Sequence, residues 1–272
     1  MRQYLEQVRK KAPLVHNITN YVTANDVANA LLACGASPIM ADEPAEVEEI
    51  TASCAGLTIN LGTLSERSVL SMEKAGKVAE QLGHVILLDP VGVGASTFRR
   101  QTAEILKNTI HFDVIRANMS EIKTLAQKRG TSRGVDAAID DCITEQNLDH
   151  TISFVREFAR KNKCIVAVTG AIDLVTDGTA CYVLRGGRPE MSLITGTGCQ
   201  LSGIMTAYVA ANREQKLEAA AAAVCAMNLA GEIAWNHMRP EDGNATYRNR
   251  IIDALFGMDG EMLERGANYE VR

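Results

Sequence analysis

Apolar residues recur along the chain in two alternating patterns. Short continuous runs, of which residues 84–89 are the clearest, are typical of parallel strands covered on both faces. Longer stretches carry apolar residues at helical spacing, as in residues 22–34, where Gly35 is the expected stop. The alternation predicts an α/β fold with an open, mostly parallel central sheet and helices on both faces.

The predicted elements follow one another without a linker or an internal repeat, so we expect a single domain over residues 1–272. The predicted strands span residues 13–20, 37–40, 57–63, 84–94, 112–118, 164–170, 173–178, 180–187 and 192–195. The predicted helices span residues 1–11, 22–34, 44–53, 65–83, 151–162, 199–211, 216–235, 247–256 and 259–267, with another one beginning near Glu121. Asp177-Gly178 is the expected hairpin turn, and residues 128–150 are predicted to be a loop with a partial helix.

Composition limits the possible partners. Hydrophobic residues make up 46% of the 272 residues, which is ample for a large core, and the formal net charge is −5. No run of lysine and arginine is present, which argues against nucleic acid as a partner. Residues 1–11 lack the apolar segment of a secretory signal, and no apolar run approaches the roughly 18 residues that span a bilayer. We therefore expect no membrane partner.

The cysteines indicate a reducing environment, and the histidines argue against a zinc site. The seven cysteines are odd in number, none has C-x-x-C spacing, and most lie in apolar segments, which predicts reduced thiols and a cytoplasmic location. The five histidines fall in no metal-ligand spacing, so a zinc site is not expected.

Polar residues collect where the predicted strands end. In parallel α/β sheets ligands bind beyond the carboxyl ends of the strands. The residues at these positions are Asn17, Asn60, Asp89, Arg116, Asn118 and Thr169. Six such residues on successive strands predict one composite site.

A Gly-Thr-Gly turn, Gly196 to Gly198, precedes an apolar helix. Backbone N–H groups that point outward at a helix N-terminus form an anion site, and glycine permits close approach. Cys199 follows in the first helical turn, where the helix dipole is expected to lower its pKa and favour the thiolate. The stretch is typical of phosphoryl or acyl transfer; the alternative is a helix start with a buried structural cysteine.

Two acidic residues are candidate organisers of Mg²⁺. Asp89 and Glu121 lie near strand ends, and Mg²⁺ takes few carboxylates while keeping several waters. Arg116 and Asn118 are candidates for phosphate contacts. Each also has a structural interpretation: Asp89 as a strand cap, Glu121 as a helix-dipole carboxylate, and Arg116 as a salt-bridge partner. The P-loop and protein-kinase motifs are absent.

Seven segments, in order, resemble those of the hydroxyethylthiazole kinase family within the ribokinase-like superfamily. They are Pro13–Asn20, Gly35–Met40, Asn60–Thr63, Leu88–Gly94, Ile115–Asn118, Val168–Gly170 and Thr195–Cys199. The resemblance implies a three-layer α/β/α sandwich. It also implies an ATP-dependent phosphotransferase that acts, with Mg²⁺, on the primary alcohol of 4-methyl-5-(2-hydroxyethyl)thiazole in thiamine salvage.

The resemblance also implies roles for individual residues. Met40, Asn25 and Gly196 are expected at the thiazole, and Arg116, Thr169 and Asn118 at ATP. Gly196, Thr197 and Gly198 are expected to form the anion hole, Asp89 and Glu121 to organise Mg²⁺, and Cys199 to accept the proton. The family is typically a homotrimer with thiazole sites at subunit interfaces, where residues 17–25 and Met40 would line the pocket.

Cys199 departs from the wider superfamily, because most ribokinase-like sugar kinases carry aspartate at this position. Two other enzymatic interpretations stay open: a kinase for another small alcohol such as hydroxymethylpyrimidine, and a nucleotide-hydrate dehydratase of the same fold. A third alternative is a non-catalytic thiazole or nucleotide sensor. The dehydratases usually carry aspartate in the turn, and a sensor needs neither a base nor metal-organising carboxylates.

Overall fold

Nine strands from the described residues form one sheet; the computed structural model describes residues 1–126 and 141–272. The strands are β1 (Leu14–Ile18), β2 (Ser37–Met40), β3 (Gly56–Asn60), β4 (Val85–Asp89), β5 (Val114–Asn118), β6 (Ile165–Thr169), β7 (Asp173–Thr176), β8 (Cys181–Leu184) and β9 (Tyr269–Val271). Their order is β2-β1-β3-β4-β5-β6-β7-β8-β9. The pairs from β2 to β6 are parallel, and those from β6 to β9 are antiparallel. This arrangement confirms the predicted, mostly parallel sheet.

Helices cover both faces of the sheet. They are α1 (Arg2–Lys11), α2 (Ala24–Cys34), α3 (Val47–Ala52), α4 (Glu66–Gln81), α5 (Thr97–Thr109), α6 (Met119–Ala126), α7 (Leu148–Asn162), α8 (Thr197–Ala211), α9 (Lys216–Asn236), α10 (Asn244–Gly257) and α11 (Gly260–Gly266). The described residues also form two short 3₁₀ helices, Pro189–Leu193 between β8 and α8 and Arg213–Gln215 between α8 and α9.

The apolar run of β4 is explained by two cores, one on each face. Leu87 belongs to a core with α8, α9 and α10, whereas Leu88 belongs to a core with α4, α5 and α7. Successive side chains of a strand point to opposite faces, so a strand buried on both faces must be apolar throughout.

Helix α9 is the main apolar helix of the first core. Together with the preceding 3₁₀ turn, over Arg213–Asn236, it is long and apolar enough to cross a membrane by length and composition alone. Its longest uninterrupted apolar run, residues 219–227, is much shorter than such a span, since Glu218 and Asn228 bound it. Moreover, 67% of its most apolar window is buried inside the molecule, where Ala219–Ala223 lies in the core shared with α8.

Several local predictions differ from the structure, and helix α5 (Thr97–Thr109) was not predicted at all. The strand predicted at residues 192–195 is replaced by the 3₁₀ helix Pro189–Leu193, which has proline at its start. Strand β9 was not predicted; it pairs with β8, where the rings of Tyr182 and Tyr269 lie 5.6 Å apart. Helix α7 begins three residues earlier than predicted, and residues 128–140 of the segment 128–150 lie outside the described residues.

Candidate active site

The site forms at the carboxyl ends of β3 to β6, against the start of α8. Asn60 Nδ2 donates to Asp89 Oδ2 at 2.8 Å, and the two residues are register partners. Arg116 Nη1 lies 3.5 Å from Asp89 Oδ1, and Arg116 Nη2 donates to Thr169 Oγ1 at 2.7 Å. Four of the six polar residues predicted at strand ends therefore form one hydrogen-bonded cluster.

The other strand-end residues lie differently. Asn17 is buried, and its Nδ2 donates to the carbonyl of Val15, whereas its Oδ1 has no hydrogen-bond partner. Asn118 is exposed, and its Oδ1 accepts from the backbone N–H of Glu121 at 2.9 Å. Asn118 thus caps the start of α6, and this capping engages its amide oxygen.

The turn before α8 requires glycine, because side chains from other elements lie close to its backbone. Gly196 precedes the helix with a φ of +86°, and a Cβ there would lie 2.3 Å from Thr23 Cγ2. A Cβ on Gly198 would lie 2.5 Å from both terminal nitrogens of Arg116. Among the described residues, no side-chain hydrogen bond caps this end of α8, so the N–H groups of its first turn keep the positive end of the helix open to an anion.

Cys199 lies in this first turn and is 8% exposed. Its Sγ accepts from Asn20 Nδ2 and from Asn60 Nδ2, each at 3.2 Å. Burial, followed by the charge of Asp89, raises the pKa of the Cys199 thiol, while a hydrogen bond with Thr23 and the charge of Arg116 oppose this rise. The prediction of a lowered pKa is therefore wrong, because burial and the charge of Asp89 outweigh the hydrogen bonds and the charge of Arg116.

Asp89 is fully buried at the centre of the cluster. Its Oδ2 accepts from Asn60 and also from Ser202 Oγ at 2.7 Å, and its Oδ1 faces Arg116. Burial raises the pKa of Asp89, and the charge of Arg116 and the hydrogen bond from Ser202 act in the opposite direction. Asp89 is thus an organising centre for side chains from several elements rather than a simple strand cap.

Glu121 connects two loops. Its Oε2 accepts from the backbone N–H of Asn118 at 2.9 Å, which completes a reciprocal cap with that residue. Its Oε1 accepts from the backbone N–H of Gly92 at 2.9 Å, in the loop after β4. The structural interpretation of Glu121 as a helix-start carboxylate is correct, and the carboxylate additionally fixes the loop beside Asp89.

The two side chains expected at the thiazole lie on exposed surface. Met40 ends the edge strand β2 and is 38% exposed, and Asn25 is exposed in the first turn of α2. Tyr21 and Val22, in the loop between β1 and α2, are also exposed. This rim is apolar and open, in contrast to the buried polar cluster around Asp89.

Several residues of the cluster were not singled out from the sequence. Asn20 donates to both Asn60 Oδ1 and Cys199, and its own Oδ1 accepts from Thr23. Asp173 is buried, and its oxygens accept from the N–H of Gly170 at 2.9 Å and from Asn228 at 2.7 Å. Burial raises the pKa of Asp173 to about 6. Of these residues, Ser202 could have been found from its spacing, since it follows Cys199 by three residues and such a spacing places two side chains on one face of a helix.

The donor set suits a hard cation held through water. In residues 1–126 and 141–272, no group of three or more His, Cys, Asp or Glu side chains could hold a metal ion. Each carboxylate oxygen of Asp89 and Glu121 already accepts a hydrogen bond or faces a cation. The negative charge of Glu121 also raises the pKa of Asp89. Mg²⁺ fits such a site, since it binds through one or two carboxylates, its own waters and substrate phosphates.

Comparisons with known proteins agree with this chemistry. The model of the hydroxyethylthiazole kinase family matches residues 5–261. A hydroxyethylthiazole kinase from Clostridium acetobutylicum is 54% identical over 270 residues, which cover 99% of each chain. The solved structure of a hydroxyethylthiazole kinase from Pyrococcus horikoshii OT3 is similar at a TM-score of 0.87 and 32% identity, covering 99% of this chain and 98% of that one.

A more distant solved structure shows the fold alone. A ribokinase-like superfamily protein from Enterococcus faecalis V583 is 13% identical with a TM-score of 0.62, covering 97% of this chain and 89% of that one. The predicted ribokinase-like α/β/α arrangement is therefore confirmed.

Proposed function

The chain belongs to the hydroxyethylthiazole kinase family, and we propose that it transfers the γ-phosphoryl group of ATP to the primary alcohol of 4-methyl-5-(2-hydroxyethyl)thiazole. One observation carries the proposal most directly. A thiol in the first turn of α8 lies beside a buried Asp89–Arg116 pair, next to a helix end that no side chain caps. This juxtaposition supplies a proton acceptor and an anion site within one cluster.

The anion hole comprises the backbone of Gly196, Thr197 and Gly198. Charge that develops on the transferred phosphoryl group is stabilised by N–H groups fixed before the reaction begins. Support comes from the open positive end of α8 and from the guanidinium of Arg116, which lies against Gly198. A cation and a helix N-terminus thus face the same position.

Cys199 is the proposed proton acceptor. The alcohol oxygen forms a bond to the γ-phosphorus, its proton passes to the Cys199 thiolate, and the bond from that phosphorus to the leaving oxygen of ADP breaks in line. Asn20 and Asn60 support this role, because both amides donate to Sγ and thereby favour its anionic form. Burial raises the pKa of the thiol and so leaves only a small fraction of thiolate, but in a loose transition state proton removal comes late, so this fraction suffices.

The nucleotide would lie across Arg116 and Thr169, whose side chains are already hydrogen-bonded to each other. Asn118 would contribute at the margin, through the amide nitrogen that capping leaves available. Asp89 and Glu121 would hold Mg²⁺ through its water ligands, and the ion would neutralise charge on the β- and γ-phosphates. The buried pair of Asp89 and Arg116 keeps these groups in register before ATP arrives.

The thiazole would contact Met40, Asn25 and Gly196, in a pocket that a second copy of the chain completes. The exposure of Met40, of Tyr21 (82%) and of Val22 (57%) supports an interface at this rim, because large apolar side chains are seldom left open together. We propose a homotrimer in the cytoplasm, where ATP and reduced thiols coexist.

The direct test is identification of the product. Incubation with ATP, Mg²⁺ and the thiazole alcohol, followed by ³¹P NMR and mass spectrometry, should give ADP and a phosphate monoester of the thiazole in equal amounts. ADP without the ester would contradict the proposal. A phosphate monoester of hydroxymethylpyrimidine, formed with that alcohol while the thiazole gives none, would keep the phosphoryl-transfer chemistry and assign it to another alcohol.

A further inference from the structure

Arg99 connects the two loops beneath the candidate active site. It lies in the first turn of α5, and its guanidinium donates to the carbonyls of Leu61 at 2.8 Å, Val91 at 2.6 Å and Gly62. Leu61 and Gly62 follow β3, whereas Val91 follows β4. One side chain therefore closes the gap between two neighbouring strand ends.

The loop after β3 positions the amide that donates a hydrogen bond to Cys199 Sγ. The N–H of Gly62 donates to Asn60 Oδ1 at 2.9 Å. Asn60 in turn donates to Cys199 Sγ and to Asp89 Oδ2. A shift of Gly62 would rotate the amide whose N–H groups face the sulfur and the carboxylate.

The loop after β4 positions the carboxylate of Glu121. Gly92, next to Val91, donates its N–H to Glu121 Oε1. Gly92 has a φ of +64°, and a Cβ there would lie 3.1 Å from Arg99 Nη1. The turn thus folds closely over the guanidinium, and its position sets that of the Glu121 carboxylate.

In residues 1–126 and 141–272, no carboxylate lies within 4.0 Å of the Arg99 guanidinium. Three backbone carbonyls accept hydrogen bonds from the guanidinium instead. Among side chains, only the planar guanidinium of arginine presents several donors in fixed directions. A lysine ammonium is a compact point donor and would not reach both loops in the same way.

We propose that Arg99 is a positioning residue that holds the Cys199–Asn60 half and the Glu121 half of the site in register for phosphoryl transfer. The proposal rests on the proposed kinase function for its kinetic effect. Its structural effect, on the surroundings of the Cys199 sulfur, is independent of that function.

Arg99→Ala, Arg99→Lys and the exposed neighbour Arg100→Ala form a matched set. With the thiazole alcohol, Arg99→Ala should lower kcat by about tenfold to hundredfold with little change in the alcohol KM, since a displacement of about 1 Å costs this much. Arg100→Ala should stay within about twofold of wild type, as surface substitutions do. Low, non-denaturing concentrations of guanidinium chloride should restore part of the activity of Arg99→Ala only.

A second readout does not require turnover. Alkylation of Cys199 by iodoacetamide, followed peptide by peptide with mass spectrometry, should be faster in Arg99→Ala and Arg99→Lys than in wild type or Arg100→Ala. If wild type is not a kinase, the proposed function fails while this comparison still decides the role of Arg99.

Wild-type kcat and wild-type alkylation of Cys199 in Arg99→Ala would overturn the proposal. If Arg99→Ala does not fold, Arg99→Lys decides: a reduced kcat with faster alkylation supports the role, and values equal to those of wild type overturn it.

Discussion

At the residue scale, the central feature is a thiol that receives two amide hydrogen bonds yet is deeply buried. Burial and the charge of Asp89 raise the pKa of Cys199, and Asn20 and Arg116 act against this rise. The sequence predicted the position of Cys199 correctly, because a Gly-Thr-Gly turn before an apolar run marks a helix start. The direction of the pKa change was not predictable, since it depends on Asp89 and on burial by residues distant in sequence.

Cys199→Ala should lower kcat by about 10²-fold to 10⁴-fold, because this is the usual contribution of a positioned general base. Cys199→Asp should retain substantial activity, because Asn20 and Asn60 can donate to a carboxylate as they do to sulfur. Steady-state rates of both variants measure this. An inactive but folded Asp variant would contradict the assignment of Cys199 as the base.

The pH dependence of kcat/KM distinguishes the thiol base of wild type from the carboxylate base of Cys199→Asp. Because the thiol pKa is raised in the folded protein, its thiolate fraction is small at neutral pH. Wild-type kcat/KM should therefore rise between about pH 7 and 9, where the aspartate of Cys199→Asp is already ionised and its profile is flat.

Asn60→Ala should lower kcat by about tenfold to hundredfold, since hydrogen bonds to charged groups contribute about 1.5–3 kcal/mol. The substitution removes the donor that Cys199 and Asp89 share. Asn162→Ala is the matched control, because that amide donates only to the carbonyl of Phe158 within α7. Equal kcat values for the two variants would show that the Asn60 amide does not act on the reacting groups.

At the element scale, the start of α8 depends on glycines that leave room for side chains from other elements. Gly196 faces Thr23 of the loop before α2, and Gly198 faces Arg116 of β5. The sequence indicated that glycine was needed there, but the neighbours that require it became apparent only in the folded chain. The strand predicted just before this turn was wrong, because proline and a tight 3₁₀ turn at Pro189–Leu193 replace it.

Gly196→Ala should destabilise the fold, and Gly198→Ala should raise the KM for ATP by displacing Arg116. At Gly196 the left-handed backbone alone costs about 1–2 kcal/mol, so Tm should fall by roughly 2–8 °C. Gly243→Ala is the control, because a Cβ there meets nothing within 4 Å. Thermal unfolding and ATP kinetics measure the two effects, and values matching those of Gly243→Ala would contradict the roles given to Gly196 and Gly198.

At the scale of the whole molecule, the order of strands and helices followed from the apolar pattern except for α5 and β9, because strands buried on both faces have continuous apolar runs. The convergence of Asn60, Asp89, Arg116 and Thr169 also followed, since parallel strands end at one edge. The contacts of Asn20, Ser202 and Arg99 could not be predicted, because they depend on side-chain directions across elements. Strand β9 was missed since three residues carry too short a pattern.

The proposed trimer makes a prediction at this scale. Light scattering should give three times the chain mass of 29.4 kDa. Tyr21→Asp should dissociate the assembly and raise the thiazole KM, because it places a charge in the proposed interface. Leu82→Asp is the control: Leu82 is 51% exposed at the end of α4, just before β4 begins, so it lies at the amino ends of the strands and away from this rim. A monomeric wild type with full activity would contradict the shared site.

The most direct test of the central claim is the ratio of kcat/KM for two alcohols, measured as ADP release with ATP and Mg²⁺. The account predicts that hydroxyethylthiazole is strongly preferred over hydroxymethylpyrimidine. A preference for the pyrimidine, or no turnover of either alcohol by folded protein that binds ATP, would contradict it; in the second case a nucleotide hydrate is the next substrate to test.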